Sequence, residues 1–223
     1  MKNLSIVGYG KMGRLIEQLA PQYDFEIHSK LDLNDDLSQA AGADVAIEFT
    51  SPHAVAANVE KISALGIPLV VGTTGWASDL DRVRAAIASN NSALVWSPNF
   101  SVGVNIFARL VHEAARLFKD QPEYGAWAWE IHHITKKDAP SGTLIKLVDE
   151  MKAAGFERSI DAGSSRAGAH PGTHEIGFDS LADTITLRHT ARSREGFARG
   201  ALKAAQWIIG KKGFFDFADV LFK

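Results

Sequence analysis

The chain has 223 residues, 46% of them hydrophobic and 22% charged, a composition that suits one large globular domain or two small ones. Its 24 Lys and Arg against 26 Asp and Glu leave a formal charge of −2, so no overall field draws it onto nucleic acid. The absence of cysteine excludes disulfides, thiolate metal sites and a Cys nucleophile.

The N-terminal stretch MKNLSIVGYGKMG is too short and too soon interrupted for a signal-peptide core. No apolar run reaches the roughly 18 residues of a membrane helix, so the expected location is the cytoplasm, with no membrane partner. Through the first hundred residues the β-rich runs LSIVG, FEIHSKL, DVAIEF, PLVVG and ALVWS alternate with helical patterns, as over residues 11–20 and 53–65. That order predicts an α/β fold, a Rossmann-like doubly wound parallel sheet covered by helices. The loop GYGKMG, comprising Gly8, Tyr9, Gly10, Lys11, Met12 and Gly13, follows the first predicted strand and opens the first helix. In that position its glycines allow a tight turn and close approach to a pyrophosphate, whose charge the free N–H groups and the helix dipole hold. A ligand-free βα turn is the plainer reading of such a hexapeptide. Asp32, 19 residues past Gly13, stands where a carboxylate takes the ribose hydroxyls, with Glu26 a weaker candidate. Lys30 is placed to meet a 2′-phosphate instead, which leaves NADH and NADPH both open. The turn GTTG, with Gly72, Thr73 and Thr74, lies at the carboxyl end of the fourth strand, where a doubly wound sheet binds its ligand; simple turn chemistry explains these residues equally well.

A second domain starts near Ser101, with a helix from about residue 104 to 118 and then YGAWAWEIHH, whose alternation reads as a strand. Residues 157–172 read as a long polar loop, the strands GTHEIGF and DTITLRHTA follow, and a last helix over residues 197–209 precedes the short apolar tail GFFDFADVLF. The predicted division is a dinucleotide-binding domain of residues 1–101 and 194–223, and a smaller α+β domain of residues 102–193.

The stretch EIHHITKKDAPSGT, Glu130 to Thr143, concentrates cationic groups. Strand alternation puts Glu130 and His132 on one face and His133 on the other, so both histidines serve one site only if the strand ends there. Ser141 is a suitable N-cap for the helix that follows. The first turn, from Gly142, offers no carboxylate to the positive end of the dipole, so that end is free for an external anion. Orphan N–H groups, the Ser141 and Thr143 hydroxyls, Lys136, Lys137 and two imidazoles together suit a small substrate bearing more than one carboxylate. The plainer reading is a solvated basic loop beside one core histidine. Proton donors beside an anion site, in a chain with a hydride-donor motif, are the set that a C=N or C=O reductase needs. Adjacent histidines on opposite faces make a poor tetrahedral metal site, and no metal is expected.

These residues resemble the signature of the dihydrodipicolinate reductases, also named 4-hydroxy-tetrahydrodipicolinate reductases, E-x-H-H-x-x-K-x-D-A-P-S-G-T-A. Every fixed position is present except the last, here Leu144. The likeness extends through GYGKMG, GTTG, PNFSVGVN, PGTHEIGF and HTARSREGFARGAL. The resemblance implies an NAD(P)H-dependent reductase of the diaminopimelate route to lysine, acting on a cyclic dicarboxylate. It also implies that His132 and Lys136 are the acid–base pair, and that His133, Lys136, Ser141, Gly142 and Thr143 hold the substrate carboxylates. Implied cofactor contacts are the glycine loop, Asp32, Gly72 to Thr74, and Ser97, Pro98, Asn99 and Phe100. A homotetramer assembled through the second domain's sheet is implied as well. Where many members carry Arg after the acidic residue, this chain has Leu33, which tilts the expected preference toward NADH, with Lys30 or Lys11 as compensating cations for NADPH. Rival readings are another two-domain NAD(P)-dependent dehydrogenase, since a Rossmann half says nothing about substrate, or a nucleotide sensor without catalysis, which has no need of both His132 and Lys136.

Overall fold

Four consecutive buried residues, Val45, Ala46, Ile47 and Glu48, make up β3 (Val45–Glu48), an interior strand of the larger of two sheets in the computed structural model, which describes residues 1–223. A strand buried on both faces carries no polar alternation. The other members are β1 (Lys2–Val7), β2 (Phe25–Leu31), β4 (Leu69–Val71), β5 (Ala93–Trp96) and β10 (Gly213–Asp216), in the order β10-β5-β4-β3-β1-β2. All five pairings are parallel. The edge strand β2 alternates between buried and more exposed residues, as one solvated face requires. The chain leaves β1 toward β2 on one side and resumes at β3 on the other, so the turns after β1 and β3 diverge and open a crevice between them.

Helices cover both faces. On one, Ile16 and Leu19 of α1 (Lys11–Leu19) pack with Ala198, Ala201, Leu202 and Ala205 of α6 (Glu195–Ile208). On the other, Val55, Val59 and Ile62 of α2 (Val55–Ala64) meet Val83 and Ile87 of α3 (Leu80–Ser89). Helix α6 approaches closely: a Cβ on Gly200 would stand 1.7 Å from the Phe100 carbonyl oxygen, so only glycine fits there.

The smaller sheet has the order β7-β6-β8-β9, formed by β6 (Gly125–His132), β7 (Ile160–Arg166), β8 (Thr173–Asp179) and β9 (Thr184–Thr190). Its β6–β7 pairing is parallel and the other two are antiparallel. One face packs on α4 (Val102–Phe118) and α5 (Gly142–Ala153) through Phe107, Val111, Leu144, Leu147, Met151, Ile176 and Phe178. The chain thus forms two compact units, one of Met1–Val102 with Arg194–Lys223 and one of Gly103–Ser193.

Two segments differ from the sequence reading. Within the expected loop of residues 157–172, Ile160–Arg166 is a strand, paired residue for residue with β6 from Ala126↔Ile160 to His132↔Arg166. Its side chains are exposed or half-buried, so the β6 backbone ladder holds it, and periodicity carries no trace of that. The apolar tail likewise supplies the sixth parallel strand, β10, and a short helix α7 (Phe217–Phe222) capped by Asp216.

Candidate active site

In the first unit, the glycines of the β1–α1 turn do different work. A Cβ on Gly8 (φ +96°) would lie 2.0 Å from the Phe49 carbonyl oxygen, and one on Gly13 would lie 2.4 Å from that of Gly8, whereas Gly10 faces open space. Gly8 and Gly13 let the loop fold onto itself, and Gly10 leaves room for a ligand to reach the backbone. No side chain caps α1 and no acidic residue occupies its first turn, so its N–H groups remain available to an anion. Gly8, Gly10, Asp32, Thr50, Ser51 and Asn58 are among the residues lining a cavity of about 650 Å³ in the crevice after β1 and β3. Asp32 is exposed at its rim, with one carboxylate oxygen accepting from the Leu33 N–H at 2.9 Å. Shape and donors fit a dinucleotide. A second cavity of about 270 Å³ is lined by Met12, Phe49, Gly72, Pro98, Asn99, Phe100, Arg194 and Phe197.

Other predicted cofactor residues support this frame. The Thr73 hydroxyl accepts from the Thr50 N–H at 2.8 Å, tying the turns after β3 and β4 together, while Thr74 is exposed. Ser97 closes the turn before Phe100, its hydroxyl donating to the Asn99 carbonyl at 2.9 Å. Tyr9 donates to Glu17, and Lys30 pairs with the same carboxylate at 3.2 Å. Lys30 is thus already paired with a carboxylate, and Lys61, which the sequence reading passed over, lines the large cavity. Beneath these turns Glu48 is fully buried against Thr50, Asn58 and Thr73, and burial raises its pKa.

In the second unit, β6 ends at His132 and leaves His133 outside the strand. Glu130 and His132 lie on the face toward α5, and the Glu130 carboxylate accepts from His132 Nδ1. Arg166, opposite His132 across the β6–β7 ladder, places Nη1 2.9 Å from Glu130 Oε1. Burial opposes ionisation of Glu130, but its bonds from His132 and Arg166 outweigh that and hold its pKa below the usual carboxylate value. For His132, burial lowers the pKa and the Glu130 carboxylate opposes the drop. His174 on β8 stacks edge-on against His132, ring centroids 5.1 Å apart, and its Nε2 bonds the Ser141 hydroxyl at 3.0 Å. Ser141 caps α5 by accepting from the Leu144 N–H at 3.2 Å. Glu130, His132 and His174 bring donor atoms within 4.8 Å of one another, but Arg166 already neutralises the carboxylate, and the three work as a hydrogen-bond network.

One expectation about the charged stretch changes. The positive end of α5 is not bare: the Asp138 carboxylate pairs with Lys136 at 2.8 Å and takes the Gly142 N–H, and the lysine bond lowers its pKa. Asp138 precedes the cap, beyond the first-turn positions where a dipole-complementing carboxylate is sought. His133 stands apart from the Glu130 network, its Nδ1 2.7 Å from the Thr135 hydroxyl. Gly142 is exposed with nothing within 4 Å of a built Cβ, and Thr143 is half-buried.

Residues 2–100 match the family model described as dihydrodipicolinate reductase, N-terminus, and residues 103–221 match that described as dihydrodipicolinate reductase, C-terminus. The chain belongs to the dihydrodipicolinate reductase family. Members similar to it include the 4-hydroxy-tetrahydrodipicolinate reductase of Christiangramia forsetii, 38% identical over 233 residues, spanning 98% of this chain and 97% of the relative. The reductase of the same name from Methanoregula boonei is 37% identical, over 95% and 94% of the two chains. In fold, the chain resembles the dipicolinate-bound dihydrodipicolinate reductase from Paenisporosarcina sp. TG-14, with a TM-score of 0.81 at 21% identity over 98% of each chain. It resembles the amine dehydrogenase from Mycobacterium smegmatis less, with a TM-score of 0.67 at 8% identity over 100% of this chain and 96% of that one.

For this member of the dihydrodipicolinate reductase family, Glu130 was visible beside His132 in the strand alternation, but Arg166 and His174 were not, because strand pairing alone brings them there. His174 gives the network a measurable signature. Burial pushes its imidazole down to about 4, against roughly 6.5 in an unfolded chain. Between those values the unfolded state binds the extra proton, so stability is intact above about 6.5 and falls as pH drops toward 4, by up to roughly 3 kcal/mol. Urea unfolding of wild type and His174→Gln at pH 7 and 4.5 measures this; the variant should lose less stability on acidification, and equal losses would refute the assignment.

Proposed function

We propose that the chain reduces 4-hydroxy-tetrahydrodipicolinate to tetrahydrodipicolinate, consuming one NAD(P)H and one proton and releasing NAD(P)⁺ and one water, in the diaminopimelate route to lysine. The observation that carries this reading is the conjunction, in the second unit, of an imidazole bonded to a buried carboxylate, His132, with the lysine and the amides at the start of α5 that Asp138 covers. Such groups suit a dicarboxylate that must be oriented and protonated. The fold neighbours include an amine dehydrogenase, so the fold by itself does not select the substrate; the residues from Glu130 to Thr143 do.

The nucleotide, held at the β1–α1 turn, supplies the hydride to a ring carbon. Lys136 and the amides of Gly142 and Thr143 take the substrate carboxylates once Asp138 has given up its bonds to Lys136 and Gly142. His133, just past the end of β6, contributes a further hydrogen-bond donor. His132, with its Nδ1 on Glu130, passes a proton from Nε2, and Lys136 is the second proton donor of the pair. Trp127 and Trp129 lie half-buried on the sheet face away from α4 and α5, and there we place the contact of a homotetramer; sedimentation at micromolar concentration yielding only monomer would exclude it.

Asp32 and Asp35 line the large cavity and disfavour a 2′-phosphate, which supports a preference for NADH, with Lys61 limiting its size. Steady-state kinetics with both cofactors should give the higher kcat/KM for NADH, and a large advantage for NADPH would overturn the preference. In an assay coupled to dihydrodipicolinate synthase, His132→Gln and Lys136→Ala should each lower kcat by about 100-fold or more, the usual weight of general acid–base catalysis. Wild-type kcat in both variants would refute the assignment, and no cofactor consumption by wild type would favour a sensor.

A further inference from the structure

The Glu130 carboxylate is fully buried and holds three segments at once. One is the end of β6, through His132 Nδ1. The second is the end of β7, through Arg166 Nη1, which lies 2.9 Å from Oε1 and 3.0 Å from Oε2. The third is the start of α5, through the Ser141 N–H, 3.2 Å from Oε1. Arg166 reinforces the last connection by donating to the Asp138 carbonyl in the loop before Ser141. An ionised carboxylate only accepts hydrogen bonds, so Nδ1 of His132 must carry its proton. The catalytic edge of the ring is then Nε2, and only glycine fits beside it at position 172 (φ +132°): a Cβ there would lie 2.8 Å from Nε2.

We propose that Glu130, clamped by Arg166, is a positioning residue that fixes His132 in the Nδ1–H form, directs Nε2 at the substrate and holds that ring in register with the anion-binding start of α5. The inference rests on the reading of His132 as the proton donor. The charged and titratable groups facing His132 are Glu130 on β6, Lys136 in the next loop, Arg166 on β7 and His174 on β8. Glu130 is the one anion among them, so it is the group that permits His132 to hold the second proton beside Lys136 and Arg166. His174, kept neutral by burial, does not add to that repulsion.

Two measurements test this. Histidine ¹⁵N shifts of the wild-type protein in long-range ¹H–¹⁵N spectra, with His132 identified by the missing signals of His132→Gln, should show the Nδ1–H tautomer at pH 8. An Nε2–H tautomer would overturn the proposal whether or not His132 proves catalytic, so this result separates it from the reading it builds on. In Glu130→Gln, kcat should fall on the order of 10- to 100-fold, the scale on which losing an orienting partner acts. The basic limb of its pH profile should move down by about one unit or more, because removing the anion disfavours the imidazolium, and Glu130→Asp should partly restore both. A folded Glu130→Gln with a wild-type pH profile would overturn the proposal, as would an Asp variant no better than Gln. Should Glu130→Gln fail to fold, the wild-type tautomer still decides.

Discussion

The second unit is organised around one buried anion. Taking a carboxylate out of water costs several kcal/mol even after relaxation, and it is tolerated only where a counter-ion and further hydrogen bonds surround it. Glu130 meets that demand with Arg166, His132 and the Ser141 amide, and each partner comes from a different segment. The demand reaches back into the fold. Strand β7 has few apolar residues with which to earn its place, but its ladder with β6 runs to the pair His132↔Arg166, which delivers the guanidinium to the carboxylate. Losing the carboxylate would leave Arg166 buried without its charge partner, and breaking such a pair by removing one side costs more than the pair itself contributes.

The first unit places a buried glutamate at a similar point, the end of an interior strand, and treats it in the opposite way. Glu48 has hydroxyl and amide neighbours, Thr50, Asn58 and Thr73, and no cation, so burial pushes its pKa up. Glu130 has a guanidinium and stays below the usual carboxylate value. Identical side chains thus follow the two rules of pKa perturbation, desolvation against charge pairing. Their uses differ accordingly. Glu48 accepts from the Thr50 hydroxyl and the Asn58 amide and so stitches the turns around the large cavity; the Glu130 carboxylate stabilises a proton on its neighbour.

Much of this was legible in the residues. The five strands of the first hundred residues have apolar runs long enough to mark them, and the helices between them repeat at the expected spacing because each buries one stripe. The glycine loop was readable since its position after a strand defines its geometry. Strand β7 was not readable, because IDAGSSR is held by backbone pairing and not by apolar burial. Strand β10 was hidden because it runs without a break into α7, so the tail reads as one apolar segment. In the site, alternation correctly grouped Glu130 with His132, but an acidic residue in a strand gives no sign of whether it faces water or a guanidinium thirty-six positions away. His174 lay in a run that reads as an ordinary strand. For Arg166 the signal available was charge pairing: a core-facing glutamate that stays ionised needs a buried cation, and Arg166 is the cationic residue at the end of the neighbouring strand.

The charge balance of the network explains why so cationic a stretch can fold without its ligand. With His132 and His174 neutral, Glu130 offsets Arg166 and Asp138 offsets Lys136, so these two pairs carry no net charge and the excess falls on the exposed Lys137. Asp138 occupies the same donors, an ammonium and an amide at a helix start, that make the region attractive to a carboxylate. A dicarboxylate arriving there competes with an internal carboxylate already in place, and a monoanion of equal strength gains little from the exchange. A second carboxylate must find a second cation, and within the Glu130 network His132 can become one by taking up a proton, since Glu130 favours its imidazolium. On the proposed function, binding of the doubly charged ligand and protonation of His132 reinforce each other, which would tie selectivity for two carboxylates to readiness for proton transfer.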